Sequence, residues 1–155
     1  MLLTFIQFIN ESWQPEKAMR GWMSPSGEAH LFSHHGEHYA NHHPDYIKAG
    51  GKQGDSVQDA QAKGFTRFGA NVSSIHGFHH FVHYDATHPK GKATALKALH
   101  FMKPDHNDEV TVSGSAGVYK RPKNGGKSYK NARAMKELGR EGIMPARDAY
   151  KKLQQ

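Results

Sequence analysis

The apolar residues that open the chain recur at the spacing of one helix face; they are Leu2, Phe5, Ile6, Ile9 and Trp13. Pro15 disfavours helical geometry at the residue before it, so the pattern predicts an N-terminal amphipathic helix over residues 1–13. This leader carries a single charge, at Glu11, whereas the chain behind it is rich in Lys, Arg and His.

Further helices are predicted by the same spacing and by capping residues. Residues 33–46 predict a short histidine-rich helix that Pro44 ends, and Ser56 is a candidate cap for a helix to Lys63. Residues 92–102 predict a helix with one apolar face, residues 128–138 a helix followed by Gly139, and Pro145 a last helix to Leu153. The apolar faces of the helices at 92–102 and 145–153 are Ala95, Leu96, Leu99 and Met102, and Ala146, Ala149, Tyr150 and Leu153.

Strands are predicted between these helices. Ser24-Pro25-Ser26-Gly27 suits a type I turn, which predicts a β-hairpin over residues 21–32. Residues 64–68 repeat the character of residues 20–23, so these two strands are candidates for pairing. Alternation predicts a strand over residues 72–84, and residues 109–113 predict another that turns into a hairpin with residues 118–121. In the strand at 72–84, one face holds Phe78, His80, Val82 and Tyr84, and the other holds His79, Phe81 and His83.

Together the elements predict an α+β fold. We expect a small, mostly antiparallel sheet with short helices packed on it, plus the N-terminal amphipathic helix. The chain divides into a leader or docking helix at 1–13, a small α+β domain at 20–113, and a basic hairpin and helical region at 114–155.

Length and composition exclude several classes of protein. The 155 residues are enough for one ordinary domain, with 36% hydrophobic residues and no cysteine, so disulfides and thiolate metal sites are excluded. No stretch is long and apolar enough to span a bilayer. Because the leader lacks a basic start and a small-residue cleavage pattern, we expect a protein kept or packaged inside a cell rather than secreted.

Positive charge is concentrated in the second half of the chain. Residues 1–85 hold 6 basic and 8 acidic residues, whereas residues 86–155 hold 15 basic and 6 acidic ones. The densest basic cluster is Lys120, Arg121, Lys123, Lys127, Lys130 and Arg133, with tyrosines interleaved. Such a cluster is typical of sequence-tolerant binding to a nucleic-acid backbone, and a solvated surface that aids solubility is the alternative.

No catalytic motif accompanies these basic residues. Gly126-Lys127-Ser128 resembles the end of a P-loop, but Arg121 occupies the position of the first glycine that the motif requires. The chain also lacks a cysteine and a Gly-x-Ser-x-Gly nucleophile motif. We therefore expect no enzymatic activity.

Histidine is unusually frequent, at 13 residues. His34, His38 and His42 recur every fourth residue on the predicted helix, a spacing at which two imidazoles share one zinc ion. A further ligand would come from elsewhere, with His80 or His83 as candidates. Exposed or hydrogen-bonded histidines without a ligand are the other interpretation.

The leader carries a resemblance to a known class of proteins. Thr4-Phe5-Ile6-Gln7-Phe8-Ile9-Asn10-Glu11 resembles the capsid-targeting peptides of internal head proteins in large contractile-tailed bacteriophages. The resemblance implies cleavage by a prohead protease between Glu11 and Ser12, although Leu2 stands where such leaders usually carry Lys. Residues 21–27 and 63–67 also resemble small modules of uncharacterised phage proteins, which implies a phage origin and no particular activity.

These observations favour a non-enzymatic, virion-associated phage protein, structural or internal to the head. It would pass through the host cytoplasm before assembly, lie beside other virion proteins and contact packaged DNA with its basic half. One alternative is a phage effector that binds nucleic acid or a host protein and never enters the virion. Another is a metal-dependent enzyme with histidine ligands. The leader itself could equally be an ordinary first helix that closes the core.

Overall fold

A computed structural model describes residues 19–32, 40–73, 77–115 and 140–155. In these ranges six strands form one sheet in the order β2-β1-β3-β4-β5-β6, with β4 and β5 parallel and all other neighbours antiparallel. The strands are β1 (Arg20–Met23), β2 (Ala29–Phe32), β3 (Thr66–Ser73), β4 (Gly77–Asp85), β5 (Glu109–Ser115) and β6 (Arg140–Pro145). The α-helices are α1 (Pro44–Lys48), α2 (Val57–Ala62), α3 (Gly91–Met102) and α4 (Ala146–Gln154). The predicted α+β class and mostly antiparallel sheet are confirmed; the N-terminal helix lies outside the described residues.

The predicted hairpin and its pairing with the next strand are both confirmed. The backbone N–H of Gly27 donates to the carbonyl of Ser24 at 2.9 Å, which closes the turn between β1 and β2. Gly27 has a φ of +95°, a conformation that side-chain-bearing residues rarely adopt. On its other edge β1 pairs with β3, with Gly21 opposite Phe68.

The predicted single strand over residues 72–84 is wrong. Val72 and Ser73 end β3, and Gly77 begins β4, which folds back antiparallel with Ser73 opposite Gly77. The two segments bond to each other because each then satisfies the backbone groups of the other, an outcome that alternation alone does not reveal. Within β4 the predicted alternation is confirmed. Val82 and Tyr84 belong to the larger apolar cluster, and Phe81, on the other face of the strand, does not.

Pro44 begins a helix rather than ending one. It lies at the first position of α1, where a missing N–H costs no hydrogen bond and the fixed φ suits the helix. The preceding residue, His43, is extended as expected before proline. The described residues just before it, Ala40–His42, form a short 3-10 helix, and residues 33–39 of the predicted histidine-rich helix lie outside the described ranges.

Near the C-terminus, two predicted helices are confirmed and one strand of the structure was not predicted. Helices α3 and α4 are confirmed, with Ala95, Leu99 and Leu153 buried on their inner faces. Strand β6 was not predicted, and the boundary expected after residue 113 lies inside β5. The predicted helix at 128–138 and the strand at 118–121 lie outside the described residues.

Two apolar clusters lie on opposite faces of the sheet. The larger, on the face that carries α3 and α4, includes Phe68, Val82 and Leu99. The smaller surrounds Trp22 and Tyr46, both fully buried, and includes Phe65 and Ala60. Since Trp22 and Met23 are consecutive in β1 and belong to different clusters, the two clusters lie on opposite faces, with α3 and α4 on one face and α1 and α2 on the other. Burial of each large apolar side chain contributes about 1.5–3 kcal/mol.

Candidate nucleic-acid interface

Most residues predicted to carry function lie outside the described ranges. These are the basic residues Lys120, Arg121, Lys123, Lys127, Lys130 and Arg133, the processing pair Glu11 and Ser12, and the histidines His34 and His38. His42 lies within them, exposed at the end of the 3-10 helix. The basic cluster, the processing site and the zinc site therefore stay predictions.

The described histidines do not assemble into a metal site. Within residues 19–32, 40–73, 77–115 and 140–155, no group of three or more His, Asp or Glu side chains is placed to hold a metal ion. His80 and His83, the candidates for a further zinc ligand, are three positions apart on β4 and so lie on opposite faces of the sheet. His80 is 1% exposed, and burial lowers its pKa.

His43 serves the fold rather than a ligand. Its Nδ1 accepts a hydrogen bond from the backbone N–H of Asp45 at 3.0 Å, which caps α1. Its Nε2 lies 2.9 Å from the carbonyl oxygen of Glu28, so this nitrogen carries the proton and donates. The ring also packs edge-on against Phe65, with centroids 5.4 Å apart. Both ring nitrogens are therefore used to attach α1 to the hairpin.

A hydroxyl, an imidazole and a carboxylate meet on the face of the sheet that is opposite α3 and α4. Nε2 of His79 lies 2.7 Å from Oγ1 of Thr111, and its Nδ1 lies 3.4 Å from Oε2 of Glu109. This order resembles a nucleophilic triad, which also needs N–H donors for the developing oxyanion. The backbone amides of β4 and β5 bond to neighbouring strands because both strands are interior. In the part of the chain that the structure describes, these three side chains form a polar bridge between β4 and β5.

Phe81 lies beside this bridge. It is 8% exposed and, among the described residues, belongs to neither apolar cluster. The guanidinium carbon of Arg20 lies 5.9 Å from its centroid, and the ring of His83 lies 4.9 Å away at 37°. A Cβ on Gly69 would come within 2.7 Å of the ring, so glycine is needed there for Phe81 to lie against the sheet. We use the name ring track for the three rings that share this face of β4, which are those of His79, Phe81 and His83.

The face of the sheet that carries α3 and α4 presents a second, basic feature. Helix α3 contains no acidic residue, and its exposed side is lined by lysine and histidine. Helix α4 packs beside it, with the Tyr150 hydroxyl donating to the Leu99 carbonyl at 3.2 Å and the His100 and Tyr150 rings 5.0 Å apart. We define the basic helical surface by the exposed residues Lys92, Lys97, His100, Lys103 and Lys151. Asp148 is an exposed acidic residue on α4.

The arrangement of α3 suits a polyanion better than a small ligand. Twelve residues of helix extend about 18 Å, which corresponds to roughly five base pairs of duplex DNA. Lysines spaced in this way are suited to phosphates, and phosphate contacts carry no sequence information. The surface can therefore contribute affinity and little sequence preference.

Comparison of the chain with protein-family models, with curated proteins and with solved structures finds no match. None of the described helices is long and apolar enough to cross a membrane.

Sequence reasoning missed both of these surfaces for different reasons. The lack of acidic residues between Lys90 and Lys103 is visible in the sequence and indicates a basic helix surface. The ring track requires the strand register, since Arg20, Gly69 and Phe81 lie far apart in the chain and meet only across three strands. The sequence did predict that His79, Phe81 and His83 share one face.

Proposed function

We propose that the protein is a non-enzymatic, virion-associated phage protein that contacts packaged DNA through basic surfaces. The observation that carries the proposal is the basic helical surface, where an exposed helix side without a carboxylate adjoins a second basic helix. The leader at residues 1–13 and its Glu11–Ser12 bond support delivery to the phage head, beside other virion proteins. The contact with DNA requires no cofactor.

Electrostatics explains how such a protein would bind. Each lysine that neutralises a phosphate releases a condensed counterion, so affinity depends steeply on salt and weakly on sequence. The basic helical surface supplies such contacts within the folded domain. The cluster of Lys120, Arg121, Lys123, Lys127, Lys130 and Arg133 adds charge in the same half of the chain. This combination suits DNA that is packed at high density without a fixed sequence.

Neutralising α3 tests the contact with DNA. Lys92→Gln together with Lys103→Gln removes one charge near each end of the helix, and we expect the salt dependence of duplex binding to fall by about 1.8 in slope. Fluorescence anisotropy with a labelled duplex over a range of salt concentrations measures it. The matched control is Lys48→Gln with Lys52→Gln, which removes two exposed lysines outside α3 and α4. An unchanged slope in the α3 variant would exclude this surface as the contact.

Mass spectrometry of mature particles tests the location separately. We expect the protein in the virion with Ser12 at its N-terminus if the leader is an address, or Met1 if the leader is a docking helix. A protein made early in infection and missing from particles would instead assign the chain to the effectors that bind nucleic acid or a host protein.

A further inference from the structure

Helix α1 is fastened to the turn of the β1–β2 hairpin by side chains at its first turn. His43 donates from Nε2 to the Glu28 carbonyl at 2.9 Å, and the Ser26 hydroxyl donates to the Asp45 carboxylate at 3.0 Å. Nδ1 of the same imidazole accepts from the backbone N–H of Asp45 and caps the helix. His43 is 2% exposed, so its ring is largely removed from water. We use the name joint for these three hydrogen bonds.

The joint requires the neutral form of His43. A neutral imidazole has one nitrogen that donates and one that accepts, whereas a protonated imidazole carries N–H on both nitrogens. In the protonated ring, Nδ1 would face the Asp45 N–H donor against donor, so the cap of α1 would be lost. A rotation of the ring that separates these two donors also moves Nε2 away from the Glu28 carbonyl. Uptake of one proton therefore breaks both bonds of His43.

Titratable groups from the hairpin, the 3-10 helix and α1 surround this ring. The ring of His30 on β2 lies 5.6 Å away between centroids, and His42 is the preceding residue. Burial, followed by repulsion from His43 and His42, lowers the pKa of His30. The carboxylates of Asp45 and Glu28 favour a proton on His43, but burial is the larger influence and lowers its pKa. The closed joint therefore resists a proton that an opened one would accept.

Opening at the joint would uncover the smaller apolar cluster and leave the larger one in place. Tyr46 of α1 is fully buried in the smaller cluster, where its ring lies edge-on to that of Phe65 with centroids 5.3 Å apart. The larger cluster lies on the other face of the sheet, with α3 and α4. Helix α1 has five residues, and residues 47–50 are exposed. Because so short a helix depends on its tertiary contacts, it is suited to local opening.

We propose that the joint is a pH-sensitive switch: protonation of His43 in acid opens α1 from the sheet, while the sheet and α3 stay folded. The open form takes up one proton that the closed form does not. Its population therefore rises by up to about tenfold for each pH unit below about 6.5, until the closed form is protonated too. The inference is independent of the contact with DNA, since α1 is not part of the basic helical surface.

Hydrogen–deuterium exchange of the full chain, measured by mass spectrometry, tests the switch. The reporters are the amides of Tyr46, Ala49 and Gly51 in and just after α1, each of which donates to a carbonyl within residues 43–46. Exchange rates over a series of pH values are corrected for the intrinsic exchange of an unfolded chain. We expect the protection of these amides to fall by up to about tenfold per pH unit below about 6.5, while the amides of α3 keep theirs. Unchanged protection in α1, or a parallel loss in α1 and α3, would overturn the proposal.

A substitution then assigns the switch to one side chain. His43→Asn keeps an oxygen that can accept from the Asp45 N–H but does not titrate, so we expect the protection of α1 to depend much less on pH. His106→Asn, which removes an exposed histidine from the loop before β5, is the matched control and should follow the parent chain. Protection that falls as steeply in His43→Asn as in the parent chain would contradict the assignment. If His43→Asn does not fold, the comparison of α1 with α3 in the parent chain alone decides.

Discussion

At the scale of single residues, His43 shows how one side chain fixes its own protonation state. Its Nδ1 must accept from the Asp45 N–H while its Nε2 donates to the Glu28 carbonyl, so only the neutral ring satisfies both bonds. Burial is the largest influence on its pKa, which is lowered, although the Glu28 carbonyl and the nearby Asp45 and Glu28 carboxylates act in the opposite direction. Neighbouring His30 also has a lowered pKa, by burial and by repulsion from His43 and His42.

The lowered pKa of His43 predicts a loss of stability in acid. The unfolded chain takes up a proton near pH 6.5 whereas the folded chain does not, so the free energy of unfolding falls as pH drops below about 6.5. The fall stops once the pH is below the folded-state pKa. Denaturant unfolding at a series of pH values measures this slope. His43→Asn keeps an oxygen that can cap α1 but cannot titrate, and it should show a shallower slope than the parent chain.

An unchanged slope in His43→Asn would show that other histidines, such as His30 and His80, account for the acid sensitivity. Absolute stability is not the readout, because the smaller side chain also loses its contact with Phe65. None of this was visible in the sequence. The acceptor on Glu28 is 15 positions away from His43, and no local pattern records that the hairpin folds back onto α1.

At the scale of elements, α2 is held by a complete capping box. The Ser56 hydroxyl accepts from the Asp59 N–H at 3.1 Å, and the Asp59 carboxylate accepts from the Ser56 N–H at 2.8 Å. The helix has only six residues, so its ends contribute much of its stability. We expect Ser56→Ala to lower the free energy of unfolding by about 1 kcal/mol. Denaturant unfolding measures the change, and Ser56→Thr, which keeps the hydroxyl, should remain close to the parent chain.

Local signals predicted those elements whose causes are local. The Ser-Pro-Ser-Gly turn, the Ser56 cap and the apolar face of α3 each lie within a few residues, and each prediction is confirmed. Strand β6 was missed because it carries no clear alternation and gains its hydrogen bonds by pairing with β5 across a long stretch of chain. The parallel pairing of β4 with β5 likewise depends on α3 crossing between them.

At the scale of the whole molecule, the sheet separates two surfaces with different chemistry. One face carries α3 and α4 with their exposed lysines, and the other carries α1 and α2 and holds the rings of β4 beside arginines. The sequence predicted a basic second half but not this division. Strand β4 and helix α3 are consecutive in the chain, and only the folded sheet places the rings of β4 and the lysines of α3 on opposite faces. Residues 116–139 hold seven basic residues and one acidic residue, and they lie between β5 and β6 in the chain.

The connection between β5 and β6 supplies the last prediction, which concerns how the charges combine. Replacement of Lys120, Arg121, Lys123 and Lys127 by Ala should weaken duplex binding and lower the salt slope by up to about 3.6, if each side chain contacts a phosphate. Combination with Lys92→Gln and Lys103→Gln should lower the slope further, because the same duplex would lose contacts from two regions. Anisotropy titrations over a range of salt concentrations measure both effects. If the combined variant has the slope of the four-residue variant alone, α3 does not contact the duplex and the basic connection binds without it.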